Sequence, residues 1–352
     1  MHSMEWSSAV ELSEEDLALI HALQIAPRVS WTDAAEVLGV HPTSLAARWE
    51  RLNGRGAAWV TGHLVGDPKQ MSLAFIEVDC KMERRAQVVA ALAAVPEIVT
   101  VEEAASNRDL VLTVITESLQ NLSGEVIPAI AAIDGVTKSQ TSLCTRLHSG
   151  GYAWRLNVLD RPQQQQLAAL NHNHPAPGPL PASHKALLPL LAANGRATAA
   201  QMARVLGRTP ATVQRQLNRV LGSGVLSFRC EMAQRHSGFP VSCQWFARIP
   251  AGSHQSAAAA LARVPNVRLC ASTTGRTNFL VFMWLRSVAE VMDMELVLQQ
   301  SIPGIELVES AVILATAKRV GWMLNPDSTA VNMVPGAIPM AALEVQGGGG
   351  GR

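Results

Sequence analysis

The sequence lacks the short motifs that mark the common enzyme classes. It contains no G-x-S-x-G, no glycine-rich phosphate loop and no histidine and cysteine cluster at metal-ligand spacing. The adjacent acids Glu102 and Glu103 would point to opposite faces of a strand, which does not suit a catalytic carboxylate pair. His172 and His174 have no partners at metal-site spacing. We therefore expect no cofactor, no metal and no enzymatic activity.

Paired cysteines and long apolar runs are also missing. The five cysteines are odd in number and none is in C-x-x-C spacing, which favours reduced thiols. No apolar run approaches the length of a membrane span, and the first residues lack a basic segment followed by an apolar one. The sequence therefore predicts a soluble, cytoplasmic protein with no membrane partner. Its 352 residues, 48% of them hydrophobic, predict two to four domains.

The net charge of the chain is small, but the charges are unevenly distributed along it. The formal net charge is +1, which is weak for a nucleic-acid binder. Between residues 181 and 235, however, eight lysines and arginines face one acid, for a net charge of +7, whereas residues 1–66 carry a net charge of −4. Only the later stretch has the charge expected of a phosphate-binding surface.

Residues 198–220 read as two helices joined by a tight turn. Gly207 permits the turn, Thr209 is placed to cap the second helix, and Pro210 fits its first position. The apolar positions of that helix recur at i, i+4 and i+7 and are Val213, Leu217 and Val220. The pattern predicts a helix-turn-helix whose second helix enters the DNA major groove.

The whole unit occurs twice. Residues 38–45 match residues 206–213 at an offset of 168, and Val95-Pro96 matches Val264-Pro265 at an offset of 169. After its helix-turn-helix, each copy shows strand and helix periods in the order βαββαβ, over residues 71–147 and 241–316. We interpret the chain as a tandem duplication.

The predicted fold class is α+β, with two winged helix-turn-helix units of three helices alternating with two ferredoxin-like βαββαβ domains. The predicted boundaries are 1–66 for the N-terminal DNA-binding unit, 67–150 for the first ferredoxin-like domain, 151–182 for a linker, 183–236 for the second DNA-binding unit, 237–324 for the second ferredoxin-like domain and 325–352 for a disordered tail.

The two copies differ at positions that affect function. Pro189 lies inside the first helix of the second unit, so that helix is predicted to be kinked or to start late. In the first copy Ala47 stands where the second has Arg215, and the surface is acidic. Whether the first unit still reads DNA or has become a dimerisation module stays open. Asn278 replaces Asp109, so the loops at these two positions differ in charge.

The chain resembles a tandem member of the Lrp/AsnC (feast/famine) family of transcription regulators. The matching stretches are 17–52 and 186–221 for the helix-turn-helix units, and 95–110 and 271–278 for the RAM domains, which regulate amino-acid metabolism. The resemblance implies sequence-specific binding to double-stranded DNA and assembly into homodimers or higher forms. It also implies modulation by a small-molecule effector, an amino acid or a related compound, held between RAM domains.

The candidate site residues fall into two groups. Those expected at DNA are Thr209, Ala211, Thr212, Arg215, Gln216 and Arg219 in the second copy, and Thr43, Ser44, Arg48 and Arg51 in the first. Those expected at an effector are Ser106, Asn107, Arg108 and Asp109 in the first copy, and Thr273, Thr274, Gly275, Arg276, Thr277 and Asn278 in the second. The simpler alternatives are a solvated helix face and ordinary turn formers.

Two other functions fit the same layout. An effector-independent DNA-packaging protein would share every feature of the DNA-binding surface. The sirohaem decarboxylases are also built from Lrp/AsnC-like halves, but their site uses clustered histidine, tyrosine and arginine after the second strand. Here Tyr152 is the single tyrosine of the chain, so we favour a regulator.

Overall fold

The computed structural model describes residues 11–66, 71–151, 154–171, 180–264, 266–336 and 340–342. The first helix-turn-helix unit contains α1 (Glu14–Ile25), α2 (Trp31–Leu38) and α3 (Pro42–Gly54). Ser13 begins α1 with a capping box, because its side chain accepts from the Asp16 amide and Asp16 bonds back to the Ser13 amide. Gly39 ends α2 in the left-handed conformation that the turn requires.

The second unit begins differently. Its helices are α8 (Ala182–Lys185), α9 (Leu188–Ala193), α10 (Ala199–Leu206) and α11 (Pro210–Gly222). Pro189 lies in the first turn of α9, where its missing N–H costs nothing. The single helix α1 of the first copy thus corresponds to two short pieces here, and the predicted late start is confirmed.

The segment between the halves is part of the first unit. Its helix α7 (Arg161–Leu170) buries Leu167 in the same core as Trp154 and Leu159. The backbone amides of Val158 and Leu159 donate to Nδ1 of the buried His21, at 3.2 and 3.1 Å. The predicted linker is therefore wrong for residues 154–170, because their apolar side chains complete the core under α1. His172 and His174 lie outside the described residues.

The two ferredoxin-like domains have the predicted βαββαβ order. The first contains β2 (Ser72–Cys80), α4 (Arg85–Ala94), β3 (Ile98–Ala105), β4 (Leu110–Thr116), α5 (Leu119–Asn121), a π-helical turn (Leu122–Val126), α6 (Ile127–Ala131) and β5 (Val136–Ser149). The second contains β7 (Val241–Arg248), α12 (His254–Leu261), β8 (Val267–Thr273), β9 (Phe279–Leu285), α13 (Glu290–Ser301) and β10 (Glu306–Arg319).

The sheets of the two domains join into one closed ring of eight strands. The order is β10-β3-β4-β2-β5-β8-β9-β7, and β7 pairs with β10 to close it. Cys144 pairs with Thr273, and Ile313 pairs with Ala104, which is the same pairing shifted by 169 residues in each strand. The halves are therefore related by an internal two-fold arrangement, and a single chain mimics a dimer.

Each sheet has two covered faces. The outer faces pack on the helices of their own domain, in separate cores around Leu92 and Leu298. The inner faces meet in a third core that includes Phe75, Phe246 and Leu280. A sheet that is apolar on both faces needs both faces covered, here by its own helices and by the second sandwich domain.

The two helix-turn-helix units are also joined to each other. The wing β1 (Ala58–Gly66) runs antiparallel to the wing β6 (Leu226–Met232), from Ala58 opposite Met232 to Leu64 opposite Leu226. In addition, the side chains of Arg28 and Arg196 each donate hydrogen bonds to backbone carbonyls of the other unit. Arg28 donates to the carbonyls of Gly195 and Ala197, and Arg196 donates to those of Pro27 and Val29. The acceptors are related by 168 residues, so the contact is reciprocal.

The C-terminal stretch continues the fold. β11 (Trp322–Leu324) and β12 (Ala330–Met333) extend the large sheet as a hairpin, and β13 (Met340–Ala342) pairs with β1. The amide of Ala330 donates to the carbonyl of Gly56 at 2.9 Å. The predicted disordered tail is therefore wrong for 325–336 and 340–342, because the chain turns back onto the wing. Residues 337–339 and 343–352 lie outside the described residues.

All five cysteines are free thiols, as expected, and burial raises the pKa of Cys230 to about 12. None of the helices in the described ranges is long and apolar enough to cross a membrane. In the same ranges, no group of three or more His, Cys, Asp or Glu side chains is placed to hold a metal ion.

Candidate nucleic-acid interface and effector loops

Local sequence positions the recognition helix α11. Gly207 ends α10 with φ of 62°, a conformation that favours glycine, and Thr209 accepts a hydrogen bond from the Thr212 amide. The predicted apolar stripe is buried and consists of Val213, Leu217 and Val220. Burial of that stripe turns the opposite face of α11 outward.

The outward face of α11 carries two unpaired arginines. Ala211, Arg215 and Arg219 are exposed, and within the described part of the chain neither arginine side chain has an ion pair or hydrogen bond. Thr212 and Gln216 are half-buried and already have partners. The hydroxyl of Thr209 donates to Thr212 Oγ1 at 2.9 Å, and Gln216 Oε1 accepts from Arg208 at 3.0 Å. The two arginines are therefore the groups on this helix that are available to an anion.

The two arginines of α3 are neutralised by α1. Arg51 is the counterpart of Arg219, whereas Arg48 stands at the position of Gln216. Arg48 donates to Asp16 at 2.8 Å and also pairs with Glu15, and Arg51 donates to Asp16 at 2.9 Å. Burial raises the pKa of Asp16, but the hydrogen bonds and charge of Arg48 outweigh it, so the net shift is downward. Thr43 and Ser44 are exposed on the same helix, as is Glu50. The arginines of α3 are thus less available to an anion than those of α11.

The net charge of +7 over residues 181–235 overstates the positive charge that this unit can present to phosphates. Arg196 is half-buried between the two units and lies over the Trp31 ring at 3.9 Å, Arg229 pairs with Glu231, and Arg235 pairs with Asp327 at 2.9 Å. The cations that remain on the surface of this unit are Lys185, Arg204, Arg208, Arg215 and Arg219. Their surface still contrasts with that of the first unit.

The first candidate effector loop lies at the junction of the two halves. Ser106 and Asn107 are exposed, but Arg108 is buried and pairs with Glu77 at 2.8 Å and with Glu309 of the other half at 2.5 Å. Asp109 accepts from the Cys80 amide at 2.8 Å and lies 3.4 Å from Arg85. Arg108 therefore joins the two halves, and an ammonium group at Asp109 would have to share it with Arg85.

The second candidate loop has an exposed tip. Thr274, Gly275 and Arg276 are exposed at the sheet edge, and Thr274 exchanges hydrogen bonds with the backbone of Leu143 in the first half. Thr273 donates to the carbonyl of Thr277 at 3.1 Å. Asn278 exchanges two hydrogen bonds of 2.9 Å with the backbone of Ile249. Only the tip is free to contact a ligand.

Sequence reasoning missed a central cavity of about 250 Å³ between the sheets and the wings. Its lining residues include Phe75, Glu102, Arg146, Arg229, Arg268 and Arg319. Glu102, Arg268 and Arg319 lie on strands β3, β8 and β10 next to apolar residues. A buried arginine in an apolar strand run is the signal that could have identified them.

Comparison with known protein families identifies the chain. The AsnC-type helix-turn-helix domain matches residues 12–53, and the Lrp/AsnC ligand binding domain matches residues 73–151 and 246–323. An HTH-type transcriptional regulator of Pyrococcus horikoshii, PH0140, is 30% identical over 155 residues, which are 98% of that protein and 44% of this chain. The chain belongs to the Lrp/AsnC family. The sequence-based assignment and the predicted fold class are thereby confirmed.

Other relatives agree with the Lrp/AsnC assignment. The HTH-type transcriptional regulator FL11 of P. horikoshii is 27% identical over 142 residues, covering 40% of this chain and 93% of FL11. Among solved structures, the siroheme decarboxylase NirDL bound to an iron-uroporphyrin III analogue matches with a TM-score of 0.57. That match covers 88% of this chain and 93% of NirDL at 13% identity, so it shows a shared fold.

Proposed function

We propose that this Lrp/AsnC-type helix-turn-helix transcriptional regulator reads a specific DNA sequence through α11 of its second unit, while its first unit serves as a scaffold. The observation that carries the proposal is the contrast between the two recognition helices. Arg215 and Arg219 are exposed without partners among the described residues, whereas Arg48 and Arg51 are paired with acids of α1. Free guanidinium groups are the usual readers of guanine edges and phosphates.

The test compares matched arginine variants in the two units. The operator is first selected from random duplexes with the full-length protein. Arg215→Ala and Arg219→Ala are expected to weaken binding to that operator, and Arg48→Ala and Arg51→Ala to change it little. Fluorescence anisotropy at fixed salt measures the affinities. Equal losses in both units would show that both read DNA, and unchanged binding in the Arg215 and Arg219 variants would remove α11 as the reader.

The competing packaging function predicts a different footprint. A regulator protects short preferred sites, whereas a packaging protein protects long tracts with no preferred sequence. Genomic footprinting of the wild-type protein, with and without amino acids, separates the two.

We further propose that an amino acid or related small molecule is the effector, bound at the candidate loops 106–109 and 273–278. The exposed backbone of Thr274 and Gly275, with the guanidinium of Arg276, suits a carboxylate. The backbone φ of Gly275 is 106°, and an added Cβ would lie 3.2 Å from Ser142 Oγ, so a larger side chain would strain this loop. Calorimetry with an amino-acid panel on the wild type, Asp109→Ala and Gly275→Leu tests the site, with Gly252→Leu as an open-surface control. A ligand that binds all four proteins with equal affinity would exclude these loops as the effector site.

Partner chains follow from the same proposal. If each chain has one reading helix, a two-fold DNA site requires two chains. We therefore expect a homodimer or higher form, even though the RAM domains already pair within the chain.

A further inference from the structure

The lining of the central cavity includes buried arginines. Arg268 and Arg319 are only 5% and 8% exposed, and both line the cavity. At the offset of 169 residues, the first copy has Val99 and Gly150 in their places, and both of these also line the cavity. The cavity therefore lies where the two copies meet, and the second copy alone supplies these two charges.

The arginines of this wall are incompletely balanced by acids. Glu231 pairs with Arg229 and lies 3.6 Å from Arg268. Both terminal nitrogens of Arg319 are buried and have no hydrogen-bond partner in the described part of the chain. A buried guanidinium without hydrogen bonds is costly, so Arg319 is suited to receive an anion.

Glu102 does not fully neutralise Arg319. Burial raises the pKa of Glu102 to about 7, against the opposing influence of Arg319 and of a 2.7 Å hydrogen bond from Gln244. At neutral pH this carboxyl is therefore only partly ionised. Gln244 Oε1, which is buried, also has no hydrogen-bond partner among the described residues.

The rest of the wall is apolar and aromatic. Phe75, Leu280 and Phe282 also line the cavity. The Trp284 ring lies 4.0 Å from the guanidinium of Arg268 and 5.3 Å from that of Arg319. Gly151 lets the backbone approach, because a Cβ there would lie 3.2 Å from Arg268 Nη2. The cavity thus combines cationic and apolar lining residues.

We infer that the central cavity binds a small organic carboxylate with an aromatic or branched apolar body, with its carboxylate at Arg319 and Arg268 and its body against Phe75 and Leu280. This site is separate from the exposed effector loops and does not depend on the proposed DNA contact. The occupant would touch both RAM domains and, through His63 of β1 and Arg229 of β6, both wings.

The test uses phenylacetate and indole-3-acetate, each with its amide as the isosteric neutral control, in calorimetric titrations of the full-length protein. We expect at least one acid to bind at one site per chain and its amide to bind about tenfold more weakly or worse, because a charge-assisted hydrogen bond is lost. Arg319→Gln should lower the affinity for the acid by about the same factor and remove the preference for acid over amide. The surface variant Gly252→Leu, at a position with open space around its Cβ, should leave the titration unchanged.

A second variant guards against misfolding of the first. Thr113 lines the cavity and is half-buried, so Thr113→Trp should place an indole in the free space and abolish binding without disturbing the arginines. Absence of binding by both acids at millimolar concentration would overturn the inference, as would equal affinity for acid and amide. It would also fail if the acid bound Arg319→Gln and Thr113→Trp as tightly as the wild type. Because no DNA is present, each of these outcomes leaves the DNA proposal standing.

Discussion

Arg215 and Arg219 lie one turn apart on the exposed face of α11, and we expect them to contact different parts of the DNA. Arg215 lies nearer the N-terminal end, which approaches the base edges in a helix-turn-helix complex. Arg215→Ala should therefore cost about 1–3 kcal/mol of binding free energy and relax the preference at one base position. Competition binding with a set of single-base operator variants measures this. A uniform loss over all operators would assign Arg215 to phosphate instead.

Arg219 is expected to contact phosphate. Arg219→Ala should weaken binding to all sequences alike and lower the slope of log affinity against log salt by about one. Arg51, its counterpart in the first unit, is held by Asp16 at 2.9 Å, so Arg51→Ala should leave the slope unchanged. Titrations at several salt concentrations decide between the two. An unchanged slope in Arg219→Ala would contradict the assignment.

His21 makes stability depend on pH. Burial, followed by the charge of Arg155, lowers the pKa of His21 from 6.5 to about 4. The unfolded chain therefore binds a proton at a pH where the folded chain does not. The resulting stabilisation, on the order of 3 kcal/mol, is complete above pH 6.5 and is lost as the pH falls toward 4.

We therefore expect the melting temperature to fall between pH 6.5 and 4, and His21→Gln to flatten this dependence while lowering stability at pH 7. The variant His184→Gln, on the short helix α8, serves as the control. Calorimetry over this pH range measures the effect. A His21→Gln curve parallel to that of the wild type would show that other groups cause the loss.

At the scale of elements, the reciprocal arginines hold the two helix-turn-helix units together. Removing Arg28 or Arg196 leaves backbone carbonyls at the junction without their donors. Arg28→Ala and Arg196→Ala should each lower the free energy of unfolding by about 1–3 kcal/mol. Urea unfolding followed by circular dichroism measures the change. Arg55 is exposed, so Arg55→Ala serves as the control and should change the free energy of unfolding by no more than about 0.5 kcal/mol. Wild-type stability in both test variants would mean that the wings alone join the units.

The two wings set how far the units can separate. β1 and β6 pair over seven residues, from Ala58 to Leu64, and the amide of Gly195 donates to the carbonyl of Val60 at 2.7 Å. The relative placement of α3 and α11 is therefore fixed by backbone hydrogen bonds as well as by the arginines.

At the scale of the whole molecule, α13 presents an apolar stripe to solvent. Val288, just before the helix, and Met292 and Leu296 within it are 59%, 74% and 57% exposed and recur every four residues. Exposed stripes of this kind mark protein contacts. Since we expect a second chain, Met292→Glu with Leu296→Glu should shift the protein toward a monomer in light scattering at micromolar concentration. Met82→Glu, at another exposed apolar position, is the control. A monomeric wild type would contradict the expected assembly.

Much of the molecule is determined by local sequence. Gly207, Thr209 and Pro210 establish the turn and the start of α11, because left-handed conformations and caps depend on neighbouring residues alone. Pro189 delays the start of α9 for an equally local reason. The repeat offset and the strand periods were sufficient to predict the two ferredoxin-like domains, since both copies carry the same pattern.

The tertiary structure decided which groups remain free to act. The +7 stretch loses Arg196 to the other unit, Arg108 becomes a buried bridge to Glu309, and the predicted linker becomes part of a core. In the same way, Arg268 and Arg319 come together at the cavity from different strands. These partners are far apart in the chain, and the choice of a distant partner depends on how strands β5 and β10 pair across the halves, which no local pattern specifies.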